Sequence, residues 1–230
     1  MYPVPQNHPF APRYASTVDT EGFLTRVYGW MAGGLALTGV TALGVTLSAE
    51  LQRLIFTTPL MWALVIAQLV MVFAFSAMVN RVSPLTAGAM FALYAVLTGA
   101  TLSSIFFVYT AASIAAAFFV TAGAFGAMSA YGALTRRSLA SWGSFLFMGL
   151  IGVVIASVVN IFLASPAVAW VASLAGVVVF TGLAAYDTQR IKELGASAGP
   201  NGAIQGALML YLDFINLFLM LLRLFGGRRD

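Results

Sequence analysis

A carboxylate stands inside the last apolar stretch of this chain. The run from Gln205 to Phe225, Gln-Gly-Ala-Leu-Met-Leu-Tyr-Leu-Asp-Phe-Ile-Asn-Leu-Phe-Leu-Met-Leu-Leu-Arg-Leu-Phe, is long enough to cross a bilayer, and Asp213 lies in its middle. A charged side chain at that depth costs about 2.5–3.5 kcal/mol on insertion scales. Hydrocarbon offers nothing to offset that cost, so other protein groups or water must. The chain contains one obvious companion, Asp187, which closes the preceding apolar run. Bringing these two aspartates together is the strongest demand the sequence places on its fold.

The membrane reading follows from composition. Of 230 residues, 61% are hydrophobic and 8% are charged, against about 25% charged in soluble domains. The apolar runs are continuous and long, whereas barrel strands would alternate over ~10 residues. The expected class is therefore an all-α integral membrane protein, with membrane lipid as its surroundings. The net charge of +4 comes from basic residues in short gaps between apolar runs, as membrane topology requires, and not from a nucleic-acid-binding patch. There is no cysteine, so disulfides, thiolate nucleophiles and cysteine metal sites are excluded. Residues 1–20, with Pro3, Pro5, Pro9 and Pro12 among polar side chains, are expected to be a disordered tail. A single transmembrane domain is expected over 21–230, its first helix starting at Asp19-Thr20-Glu21.

Each span needs ~20 apolar residues. Residues 27–49 hold one and 54–80 another; 82–135 hold two, broken near Thr110. Residues 138–186 hold two, broken at Ser165-Pro166, and 203–225 hold the last. Seven is the adopted count; six spans with a re-entrant last segment is the alternative. With seven, Arg13, Arg26, Arg81, Arg136, Arg137, Arg190 and Lys192 share one side, opposite Arg53, Arg223, Arg228 and Arg229. The first side, with the N-terminus, is expected to be cytoplasmic. Gly29-x-x-x-Gly33, Ala95-x-x-x-Gly99, Ala172-x-x-x-Gly176 and Gly202-x-x-x-Gly206 have the spacing that lets helices approach closely, and are expected to pack within the chain.

Asp187 and Asp213 lie on consecutive antiparallel spans joined by a short Gly-rich loop. Gln205, Met209, Asp213 and Asn216 share one face of the last helix. Two carboxylates in contact do not both ionise easily, and they titrate as a unit. Such a pair could hold a proton, bind a cation when deprotonated, or act as a pH-dependent latch. Asp187 also has Arg190 one turn later, so an interfacial ion pair stays open for it. Gln68, Thr98, Thr101, Ser104, Ser157 and Asn160 are the other intramembrane polar residues considered. They are expected mostly to bond their own backbone, with a water-filled route as the alternative.

What is missing narrows the class. The one histidine, His8, is in the tail and the one lysine, Lys192, is in a loop. Ser-His dyads, histidine metal sites and a retinal Schiff base have no residues to build them, and no resident cofactor is expected. Tyr186-Asp187 matches half of the intramembrane aspartyl protease pattern. Its second half, Gly-x-Gly-Asp, is here Leu210-Tyr-Leu-Asp213, so that enzyme class is a remote alternative and a non-enzyme is expected.

Gly182-Leu-Ala-Ala-Tyr-Asp-Thr-Gln-Arg-Ile-Lys192, followed by Ala207-Leu-Met-Leu-Tyr-Leu-Asp-Phe-Ile-Asn-Leu-Phe-Leu-Met-Leu-Leu-Arg-Leu-Phe-Gly226, strongly resembles the Bax inhibitor-1 family, the transmembrane Bax inhibitor motif proteins. The resemblance implies seven helices, six of them wrapped around a central C-terminal helix in two three-helix layers. It implies a pH-sensitive calcium leak, with Asp187 and Asp213 as the sensor and as ligands for Ca2+ in transit. It implies a basic latch at the end of the second span, for which Arg81, preceded by Asn80, is the available residue. Asn216, Gln205 and Arg190 are expected beside the pair or on the route to it. Bacterial members resemble modulators of a membrane-bound ATP-dependent protease, which makes a non-conducting regulator the alternative function. The short tail and compact loops fit a bacterial inner-membrane member. The oligomeric state is left open.

Overall fold

The computed structural model describes residues 17–195, 199–227 and 229. The described residues form helices and no strands. They run α1 (Thr17–Leu47), α2 (Ala49–Phe56), α3 (Leu60–Met78), α4 (Pro84–Leu102), α5 (Ile105–Val108), α6 (Ala111–Leu134), α7 (Ala140–Leu163), α8 (Pro166–Leu194) and α9 (Gly202–Phe225). Seven of these segments are long and apolar enough to cross a membrane, α4 and α5 counting together. The tail expected over residues 1–20 falls outside the described residues as far as residue 16, while Thr17 to Thr20 already belong to α1.

The breaks sit where local chemistry puts them. Thr110 caps α6 by accepting from the Ser113 N–H, and Ser165 caps α8 by accepting from Val168, with Pro166 in the first turn. Proline there loses no helical bond. Ala164 takes the left-handed conformation, φ 48°, that ends α7. The second span lies within residues 54–80 as expected, over Leu60–Met78. The residues before it form α2, a separate eight-residue helix with Glu50 and Arg53 exposed and Ile55 buried. Thr57-Thr58-Pro59 separates the two helices: two charges on one face of a short helix belong at the membrane boundary, not in a span.

Long-range bonds fix the ends of the bundle. At one end, the Asn201 Nδ2 donates to the carbonyls of Val79 and Val82, tying the start of α9 to the α3–α4 turn. At the other, the Thr110 N–H donates to Gly227 O and the Arg229 N–H to Val108 O. So α9 starts beside the first turn of α4 and ends beyond the last, crossing the full depth of the bundle. The re-entrant alternative is thereby set aside.

Helix α9 is the most buried span. Its principal neighbours are α8, α1 and α6, with a smaller contact to α4; α3 packs chiefly on α4 and α7 on α8. At ~100° per residue, three positions within one turn, Tyr211, Asp213 and Phe214, address three neighbours. Tyr211 stacks edge-on against Phe91 and Tyr94 of α4. Phe214 meets Phe118 and Phe125 of α6. Asp213 turns to α8.

Small residues set the closest approaches. A methyl group on Gly99 would lie 2.5 Å from the Thr38 carbonyl of α1, and one on Gly132 would collide with the Ala185 carbonyl of α8. Gly176 and Gly206 are likewise covered, by Met220 and by Ile191 with Val27. Gly29 and Gly33 differ: nothing lies where their side chains would go. That pair does not pack within the chain as the spacing had suggested.

Candidate functional site

The polar end of α8 is a run in which successive side chains fasten to different elements. Tyr186 lies against Gly143 of α7. The Asp187 carboxyl faces that of Asp213 on α9, close enough for the two to interact directly. Thr188 pairs with the Tyr28 hydroxyl of α1 at 3.3 Å. Gln189 accepts from the Leu139 N–H at 2.7 Å and donates to the Arg137 carbonyl at 2.9 Å, gripping the α6–α7 loop. Lys192 Nζ donates to the Ala133 carbonyl near the end of α6, at 2.6 Å. The sequence Tyr-Asp-Thr-Gln-Arg-Ile-Lys is thus a structural junction as well as the bearer of one of the two facing aspartates.

The pair itself is asymmetric. Asp213 is buried, 6% exposed, whereas Asp187 is half-buried. An ionised carboxylate only accepts hydrogen bonds, so two facing carboxyls can bond each other only through a proton held between them. Asp213 Oδ2 is buried and accepts from no protein donor among the described residues. The positive charge of Arg190 acts on Asp187 across one helical turn, and Arg190 itself is exposed. No set of three or more acidic or histidine side chains comes together among the described residues. Calcium takes six to eight oxygens, so two carboxylates form part of a coordination shell and not the whole of one.

The other residues singled out in the sequence fall in different places. Arg81 is exposed in the turn after α3 and makes no ion pair with either aspartate among the described residues. Asn216 turns its amide back to the Leu212 carbonyl of its own helix at 2.8 Å. Gln205 lines a cavity with Arg190 and Asn80 that reaches Met209, one turn short of Asp213. Thr98, Thr101 and Ser104 bond carbonyls of their own helix, as expected. Asn160 accepts from Ser165 and so helps cap the α7–α8 turn.

A sequence search of this chain matches one protein family over residues 20–230, described as the inhibitor of apoptosis-promoting Bax1. The chain belongs to the Bax inhibitor-1 family. It is 52% identical to the inner membrane protein YbhL of Escherichia coli strain K12, an alignment covering 95% of this chain and 98% of YbhL. It is 46% identical to the uncharacterized protein RP147 of Rickettsia prowazekii over 90% of both chains. A further uncharacterized protein, of Borreliella burgdorferi, shares 43% identity over 90% of this chain and 93% of its own. The two segments that carry the family resemblance are the α8 junction and α9, and the structure packs them directly on each other.

Two buried features escaped sequence reasoning. Asn201 is 4% exposed and holds two carbonyls of the α3–α4 turn. Its signal was the Gly199-Pro200-Asn201-Gly202 turn, which reads as loop and nothing more. Tyr211, fully buried, forms a 2.6 Å hydrogen bond to Thr38, which donates in turn to the Ala95 carbonyl at 3.0 Å. Neither position is acidic, so neither stood out among apolar neighbours.

Proposed function

We propose that this Bax inhibitor-1 family protein is a multi-pass protein of the bacterial inner membrane that lets Ca2+ leak through it, with the Asp187–Asp213 pair as its pH sensor. The observation that carries this reading is the close approach of the two carboxyls, one from α8 and one from α9. With one proton between them the pair clips α8 to α9. Without it, two negative charges face each other at short range in a dry site, and the contact must open or recruit a cation. Asp213 Oδ2, which accepts from no protein donor among the described residues, is an oxygen available to such a cation. Two carboxylates suit weak transit better than storage. The N-terminus is assigned to the cytoplasm from the arginine and lysine distribution. A non-enzymatic role is supported by Leu210 and Tyr211, both fully buried where an aspartyl protease would open space for substrate.

The test is Ca2+ flux into liposomes holding the pure protein, followed against pH. Wild type is expected to change rate across one coupled transition, and Asp213→Asn, which cannot hold a second charge, to lose that dependence. Identical pH profiles for the two would overturn the sensor. Absence of flux from wild type, together with a membrane-bound protease retained on the protein in pull-downs, would favour the regulator, in which the pair only clips α8 to α9.

A further inference from the structure

Three polar side chains at one end of the bundle converge on a single cavity and make no side-chain hydrogen bond to the protein among the described residues. They are Asn80 after α3, Arg190 of α8 and Gln205 of α9. Nearby, Gln189 is engaged with the α6–α7 loop, the Lys192 ammonium with α6 and the Asn201 amide N–H groups with the α3–α4 turn. The cavity holds about 230 Å3 and is walled on its apolar side by Phe23, Ile191 and Met209. A water occupies about 30 Å3 of liquid, so a polyatomic ion fits.

The lining specifies its occupant. A guanidinium presents a planar fork of donors that matches carboxylates and phosphates, and is weakly hydrated. Two amides add donors beside it. The apolar wall suits an alkyl portion attached to the anion. The cavity opens at the end of the spans, at the depth of lipid headgroups. We infer that this cavity is a binding site for a phosphate oxyanion, held by the Arg190 guanidinium and the Asn80 and Gln205 amides. Two sources carry that chemistry: the headgroup of an anionic phospholipid and free phosphate. Arg190 also faces Asp187, so the two anions compete for one cation, and the site is tied to the aspartate pair through a shared residue.

The experiment uses the full chain and reads binding, so it needs no ion flux. Native mass spectrometry from nanodiscs would count phosphatidylglycerol retained over phosphatidylcholine, and calorimetry in detergent would measure inorganic phosphate. Wild type is expected to retain phosphatidylglycerol, and Arg190→Gln to retain about tenfold less, the loss of one charged hydrogen-bonding group. The double variant Asn80→Ala, Gln205→Ala should weaken binding with Arg190 intact, and Asp187→Asn should strengthen it by removing the competitor. Arg137→Gln, an exposed arginine at the same end but outside the cavity, should leave it unchanged. Arg190-dependent binding of inorganic phosphate without lipid preference assigns the site to a soluble ligand. Binding of both probes unaffected by Arg190→Gln, or equally reduced by Arg137→Gln, overturns the inference.

Discussion

Helices α3 and α9 are both apolar enough to span a membrane, and their burial is opposite: 61% of the α9 window is buried, against 6% in α3. Hydropathy does not separate them; anchors do. α9 carries groups that must be satisfied by protein on two faces, Asp213 toward α8 and Tyr211 toward α1, with Phe214 packed on α6 between them. α3 carries one mid-span polar side chain, Gln68, and it bonds only α4 and its own helix. In lipid, apolar contact between helices has little driving force beyond packing. The helix with polar obligations on several sides is therefore the more enclosed by its neighbours, and the helix with one such obligation the more exposed.

The contrast breaks most visibly at Tyr211. Truncation to alanine removes a fully buried ring with two aromatic neighbours and leaves Thr38 without that partner. Replacing a large core aromatic by alanine costs about 3–5 kcal/mol. The midpoint of thermal unfolding in detergent should fall accordingly, while Tyr211→Phe, which keeps the ring, should lose only about 1 kcal/mol. Next in size is Asn201→Ala. It strips the Val79 and Val82 carbonyls of their donor and frees the inner end of α3 from α9. A cost of about 1–3 kcal/mol is expected, read as lower thermal stability together with faster amide exchange over the α3–α4 turn. Unchanged exchange there would show that α3 is held by something other than this asparagine.

Much of this arrangement was legible because the bilayer imposes it. A span needs a minimum apolar length, charges cannot sit at depth unpaired, and proline ends a helix; the seven spans, the Asp187–Asp213 contact and the Ser165-Pro166 break all follow. What stayed hidden depends on which helix lies opposite. Gly29-x-x-x-Gly33 and Ala95-x-x-x-Gly99 have the same spacing, yet Gly99 meets the α1 backbone and Gly29 and Gly33 meet nothing. Spacing names a face and not its neighbour. Tyr211 and Thr38 are 173 positions apart, and an apolar-looking tyrosine gives no hint of a partner so distant. Residues 54–80 do hold one span, Leu60–Met78, but nothing in the apolar pattern separates it from the short α2 before it, whose charges, Glu50 and Arg53, are exposed while Ile55 is buried.

The smallest effects belong to α3, and they sharpen the contrast by separating its inner face from its outer one. Gln68 donates to Thr101 Oγ1 at 3.3 Å and accepts from Thr98 Oγ1 at 3.2 Å, both on α4. These bonds are long, and interhelical polar pairs within membranes average about 0.6 kcal/mol with a maximum near 1.7. Gln68→Leu is expected to cost an amount in that range, because Thr98 and Thr101 retain their own backbone acceptors. Phe73, 73% exposed on the lipid side of the same helix, provides the comparison: Phe73→Ala should change stability by no more than about 0.5 kcal/mol, although it removes a whole ring. If the ring mattered more than the amide, α3 would be held by apolar packing with a neighbour on its outer face, such as a second copy of the chain. A greater loss at Gln68 instead places the attachment of α3 on its inner face, where Gln68 bonds α4 and Phe75 is buried in the core.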